Sequence, residues 1–167
     1  MSIRVRLAEA DDFEVLELIE NQADVLLIDY LHAATWWPST PTAERHTVPG
    51  FTLVATDVTT ERPVGFALVL QDEGTAHLEQ LSVLPEFTRR GYGRQLVRGA
   101  AEESRKRGHT QLTLRTFADV PWNAPFYGTC GFVLTAPETK FHRKLVAAED
   151  ELGLPKYGRR VQMTLNL

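Results

Sequence analysis

The stretch Thr75-Ala76-His77-Leu78-Glu79-Gln80-Leu81-Ser82-Val83-Leu84, continued by Pro85-Glu86-Phe87-Thr88-Arg89-Arg90-Gly91-Tyr92-Gly93, decides how the rest of the chain is read. Its first part alternates apolar and polar residues, as a strand does. Its second part is a turn that runs into a helix. Leu96, Val97, Ala100 and Ser104 make that helix's apolar side, and Arg94, Arg98, Glu102 and Lys106 its outer side. The strand carries an irregularity. Ala76 and Leu78 share one parity, Leu81 and Val83 the other. A one-residue bulge produces such a slip, and so does burial of both faces.

Working back from that strand, Phe51 to Ala55 and Val64 to Leu70 read as two more strands, separated by the turns at 57–62 and 71–74. The three together predict an antiparallel meander, with Val64 to Leu70 apolar enough to be covered on both faces. Ile3, Val5 and Leu7 alternate with Arg4 and Arg6 as a half-buried strand. From Ala10 to about Leu27 the apolar spacing is helical, with Asp11 and Asp12 at the favourable end of the dipole. Residues 28–50 read as irregular, broken by Trp36-Trp37-Pro38 and Pro41, with one short helix around Thr42 to His46. Beyond the arginine-rich turn, the helix stops at Gly108 and a strand runs from Gln111 to Thr116. A short helix near Pro121 to Thr129, a short strand from Phe132, a helix around Phe141 to Leu152 and a strand from Arg160 to Leu165 complete an α+β fold.

The chain has 167 residues, 43% hydrophobic and 24% charged, which predicts one folded domain over 1–167 rather than a disordered chain. Eighteen basic against 22 acidic residues leave a net charge of −4, which argues against nucleic acid or an anionic membrane as the main partner. The single Cys130 excludes an internal disulfide and a cysteine-built zinc site, and reads as a small buried side chain rather than a nucleophile. His32, His46, His77, His109 and His142 show no ligand spacing, so no metal is expected. With no apolar run of membrane length and no signal-like start, a cytoplasmic protein is expected.

The bend at 85–93 carries the first chemical signal. Backbone N–H groups at a helix N-terminus, with the positive end of the dipole behind them, hold a phosphate or pyrophosphate. Gly91 and Gly93 would let the oxygens approach, and Arg89, Arg90 and Arg94 add charge. Two glycines alone more often mark a plain glycine-bearing helix start with solvated arginines. No Walker-type loop and no Rossmann fingerprint is present.

Three pieces in order resemble the GNAT superfamily of acyl-CoA-dependent N-acyltransferases. They are His77-Leu78-Glu79-Gln80-Leu81-Ser82-Val83, Arg89-Arg90-Gly91-Tyr92-Gly93, and Trp122-Asn123-Ala124-Pro125-Phe126-Tyr127 with Gly131-Phe132 behind it. The family's glycine motif begins with Gln or Arg where this chain has Thr88, a departure that leaves the backbone cradle intact. The resemblance implies a mixed, mostly antiparallel sheet with a splayed or bulged strand at the cofactor site. It implies acetyl-CoA as co-substrate, with the amides of Arg89, Arg90, Gly91, Tyr92, Gly93 and Arg94 on its pyrophosphate. Leu81, Ser82 and Val83 would bind the pantetheine arm, with Asn123 beside it. Phe126 is a further contact candidate, although such a ring is more often core. Asn123 could equally cap its helix.

Acetyl transfer to an amine needs the nitrogen uncharged, and a lysine-like amine with a pKa near ~10.4 is mostly protonated at neutral pH. Glu79 and His77 lie two apart on one strand and share a face. Glu79 is the expected base, working through a water, with His77 as the alternative base or its relay. Tyr127 matches the family's general acid toward the departing thiolate, with a hydroxyl tied to the backbone as the plainer alternative. Asp29, Tyr30, Trp36 and Trp37 would line the acceptor pocket by analogy, with core or dimer packing as the alternative for the tryptophans. The acceptor is a small-molecule or peptide amine, and a homodimer is possible. An acyl-CoA-binding sensor or interaction module without turnover is the rival reading. Binding of another diphosphate nucleotide is a third.

Overall fold

The computed structural model describes residues 2–36, 49–72 and 74–167. The short helix expected around Thr42 to His46, and Trp37, lie outside the described residues. Seven strands form one sheet in the order β1-β2-β3-β4-β5-β7-β6. They are β1 (Ile3–Leu7), β2 (Gly50–Asp57), β3 (Pro63–Asp72), β4 (Thr75–Val83), β5 (Gln111–Phe117), β6 (Val133–Thr135) and β7 (Arg160–Asn166). The helices are α1 (Phe13–Leu31), α2 (Tyr92–Lys106), α3 (Ala124–Thr129) and α4 (Lys140–Leu152). The expected α+β class and the meander of β2, β3 and β4 are both present. None of the described helices is long and apolar enough to cross a membrane.

Two apolar layers hold the sheet. Leu53, Ala55, Ala67 and Val69 point toward Leu96, Val97 and Ala100 of α2, joined by Leu112 and Leu114 of β5. Val54, Phe66 and Leu68 point the other way, toward Leu16 and Ile19 of α1. That two-sided burial is why β3 reads as an unbroken apolar run. Each such side chain taken fully out of water contributes about 1.5–3 kcal/mol.

Helix α1 runs on to Leu31 and ends with His32 in the left-handed region, at φ 51°. The sequence reading stopped it at about Leu27. The pattern blurs there because Leu18, Val25 and Leu26 are apolar yet exposed on this helix.

The parity slip in β4 is a bulge. Leu68 pairs with Gln80 and Val69 with Leu78, so Glu79 has no partner across on β3. On its other side β4 meets β5 in the one parallel pairing among the described residues, which covers only Ala76–Leu78 against Leu112–Leu114. From Glu79 onward β4 stays with β3, while β5 stays with β7 as far as the Phe117–Arg160 pair. The sheet therefore opens into a wedge just after the bulge. β4 runs on from there into the turn that leads to α2.

Candidate functional site

The turn after β4 is a short 3₁₀ segment, Pro85–Phe87, followed by Arg89 at φ 60° and Gly91 at φ 80°. Gly91 is the residue from which α2 starts, and the first helical bond runs from the Gln95 N–H to the Gly91 carbonyl at 3.1 Å. The N–H groups of Gly93 and Arg94 precede that bond and have no carbonyl one turn back to meet. Phe126 of α3 and Leu81 of β4 stand 3.6 and 4.0 Å from the position of a Cβ on Gly93, so the start of α2 lies against β4 past the bulge.

The two glycines differ in what requires them. A Cβ on Gly91 would meet nothing within 4 Å, so its need is torsional. Gly91→Ala is expected to cost about 1 kcal/mol, seen as a lower denaturation midpoint. Gly93→Ala meets only the ordinary contact with Phe126 and is expected to hold or raise stability, since alanine favours a helix. The fold therefore requires glycine at Gly91 and leaves Gly93 open.

The arginines part company too. Arg94 does not stand free for a ligand. Its Nη1 donates to the Thr129 carbonyl at 3.0 Å and its Nη2 to Thr129 Oγ1 at 2.8 Å, tying the start of α2 to the end of α3. It also lies over the Phe126 ring at 5.8 Å and 3.7 Å from Cys130 Sγ. Arg90 lies over Phe87 at 5.5 Å, and Arg89 is exposed.

Glu79 stands at the wedge itself. Its side chain keeps 44% exposure, yet the protein around it pushes its carboxyl above the ordinary range. Burial is the main cause, Glu149 and Glu20 add to it, and Arg160 opposes it. His77 lies on the same side, its Nε2 3.6 Å from Glu79 Oε2. The bulge thus leaves the two side chains together, as their spacing predicted. The expectation that both open onto a cleft fails for His77, which is 2% exposed. Phe141 packs against its ring at 5.4 Å. Burial, then His142 and Arg115, lower its pKa to about 3, so it stays neutral.

Tyr127 projects from α3, with its ring 5.3 Å from that of Phe126 and 5.8 Å from that of Phe132. Burial above all, then Cys130, raises its pKa, so it keeps its proton. Asn123 stands at the N-cap position of α3, but its side chain does not cap the helix. Its Oδ1 accepts from the Phe117 N–H at 3.4 Å, fastening α3 to the end of β5.

Around the C-terminal half of α1 lie aromatic residues expected at the acceptor pocket. Tyr30 meets Trp122 edge-on at 5.1 Å. Trp36 lies 6.2 Å from the Tyr157 ring. Trp36 Nε1 donates to Asp24 Oδ2 at 3.3 Å, and Asp29 is exposed. Burial, with Glu20 beside it, raises Asp24 to about 6. The sequence reading missed Glu149. It is 8% exposed and takes Arg115 Nη2 on one oxygen at 2.9 Å and Arg160 Nη2 on the other at 2.6 Å. Its only sequence signal is that, of the acidic run Glu149-Asp150-Glu151, it is the one lying a helical turn past Leu145, which is weak. Among the described residues no three His, Cys, Asp or Glu side chains gather to hold a metal.

A model of the Acetyltransferase (GNAT) family matches residues 12–132. Solved structures with the same fold include the PaiA N-acetyltransferase of Thermoplasma acidophilum in complex with coenzyme A. It is 18% identical at a TM-score of 0.68, with 100% of each chain covered. The ribosomal-protein-S18-alanine N-acetyltransferase of Escherichia coli is 22% identical at 0.69, covering 98% of this chain and 93% of that one. Nourseothricin acetyltransferase is 21% identical at 0.68, with 99% of each covered. At these identities the likeness carries the fold.

Proposed function

Since the chain belongs to the GNAT acetyltransferase family, we propose that it moves an acetyl group from acetyl-CoA to an amine by direct attack within a ternary complex, as one domain. The observation that carries this is the wedge: β4 leaves β5 after three paired residues, with Glu79 at the bulge and the start of α2 against Leu81.

The residues divide the work by position. The amides at the start of α2, with those of Arg89 to Gly91 before them, take the pyrophosphate, and the helix dipole favours its charge. Leu81, Ser82 and Val83 present their open backbone edge to the pantetheine amides, as a neighbouring strand would. Phe126 and Asn123 wall the other side. Asn123 acts there by holding α3 to β5, and Arg94 by holding α2 to α3.

Glu79 takes the proton from the ammonium through a water. The freed lone pair forms the new C–N bond. A backbone N–H near Leu81 supports the charge that develops on the carbonyl oxygen. The C–S bond then breaks, Tyr127 gives its proton to the departing sulfur, and the second proton that the acylated nitrogen must lose restores the Tyr127 hydroxyl. His77 is too deeply buried to reach an acceptor itself. The acceptor enters from the side of Asp24, Trp36 and Tyr157, where aromatic faces and carboxylates suit an amine before it loses its proton. The similar proteins are named for acceptors as different as a ribosomal protein's alanine and nourseothricin, so the fold does not choose among amines.

The test is a panel of amines with acetyl-CoA, read by thiol release, alongside a calorimetric titration of the protein with acetyl-CoA. Saturable donor binding and turnover on at least one amine are expected. A flat titration up to millimolar donor would overturn the reading.

A further inference from the structure

We propose that His77 is a positioning residue: a hydrogen-bonded chain through Thr113, His142 and Thr139 locks its tautomer, so that its Nε2–H faces the Glu79 carboxylate and keeps it ionised and aimed. The proposal rests on the reading of Glu79 as the base and adds three residues to the site.

The chain starts at a helix cap. Thr139 precedes α4, and its Oγ1 accepts the His142 backbone N–H at 3.1 Å. Its own proton is left to give, and His142 Nδ1 stands 2.7 Å away. A neutral imidazole that accepts at Nδ1 carries its proton at Nε2. His142 Nε2 lies 2.9 Å from Thr113 Oγ1 on β5, and donates to it. Thr113 then has one proton to place. The near acceptor is His77 Nδ1 at 2.8 Å, while the Ala76 carbonyl lies at 3.4 Å. His77, accepting at Nδ1, carries its proton at Nε2, on the side of Glu79.

The other end of the chain demands the same polarity. An ionised carboxylate only accepts. The opposite arrangement would point the Nε2 lone pair at Glu79 Oε2. At 3.6 Å the two atoms are just beyond hydrogen-bond length, and a small torsion of the Glu79 side chain closes the gap. The chain crosses from α4 through β5 to β4, so it also registers these three elements at the wedge.

The surroundings explain why such a donor is useful. Glu149 from α4 and Glu20 from α1 both push the Glu79 carboxyl toward its neutral form, and Arg160 of β7 opposes them among the described charged groups. His77 itself is faced by His142 of α4 and Arg115 of β5, which together with burial keep it neutral. It therefore acts as a fixed N–H dipole and not as a second titrating charge.

The experiment combines an imidazole ¹⁵N spectrum of the ligand-free protein with pH profiles of kcat/KM for wild type, His77→Phe, His77→Gln and Glu79→Gln. His77 is expected as one neutral Nε2–H tautomer that does not titrate between about pH 5 and 8. His77→Phe should move the acid limb of the profile up by about one pH unit, as loss of a hydrogen bond to a charged group does. His77→Gln, which still offers an N–H, should return most of that shift. A His77 found as the Nδ1–H tautomer overturns the proposal even if His77→Phe does not fold. So does a His77→Phe enzyme slowed equally at every pH. If Glu79→Gln keeps the acid limb, the base reading itself falls, and the role given to His77 falls with it. If Glu79→Gln loses the limb and His77 is the wrong tautomer, this inference alone is sunk.

Discussion

Glu79→Gln is expected to lower kcat/KM at neutral pH by about 10²- to 10⁴-fold, the usual contribution of a positioned base. The glutamine keeps the shape of the side chain at the bulge and removes only its ability to accept a full proton. The pH dependence separates this from simple damage. A base must be ionised, so the wild-type rate should rise through the carboxyl's own titration, which burial, Glu149 and Glu20 place above the ordinary range. The variant has no such limb. Its residual rate should climb only as the amine loses its proton unaided, toward ~10.4 for a lysine-like acceptor. The gap between the two enzymes therefore narrows at alkaline pH. A constant ratio across the range would remove Glu79 from the role.

Glu149→Ala is expected to cost about 3–5 kcal/mol of stability, because it strands two arginines that are themselves largely buried. The Arg115 and Arg160 side chains are 8% and 14% exposed, and both lose their only carboxylate among the described partners. For a chain of this size the thermal midpoint should fall by roughly 6–20 °C. The sign with pH is fixed by the shift. Burial alone would raise Glu149, but the hydrogen bonds from Arg115 and Arg160 outweigh it and leave the pKa lowered. A carboxyl depressed in the folded protein stabilises it above the unfolded value, near ~4.3, and that stability is lost as pH falls through the folded value. The deficit of Glu149→Ala relative to wild type should accordingly be full at pH 7 and shrink in acid. Calorimetric melting at several pH values checks both parts. A fall of a degree or two at neutral pH would show that the two arginines find water or another acceptor.

The local parts of this fold were legible because they depend on near neighbours in the chain. Val64 to Leu70 announced a strand covered on both faces, and Phe66 and Val69 do lie on opposite apolar layers. The shift between Leu78 and Leu81 announced a disturbed strand, and the bulge sits there at Glu79. What spacing cannot give is which distant element arrives on a given face. Nothing near His77 in sequence shows that α4 will lay Phe141 and His142 over it and close it off from the cleft. For the same reason spacing does not show that Trp36 folds back to reach Asp24 on α1. The placement of β7 between β5 and β6 was equally hidden, since nothing local to these strands records that order.

The short seam between β4 and β5 leaves a signature in amide exchange. Past Leu78, alternate N–H groups of β4 face β3 and are held in its ladder, while those between them face the gap. Deuterium should therefore enter this one strand as a comb, fast and slow at every second residue, instead of fading smoothly from one end. A molecule that bridges the gap with its own amides would flatten the comb, and would report its arrival without any turnover being measured.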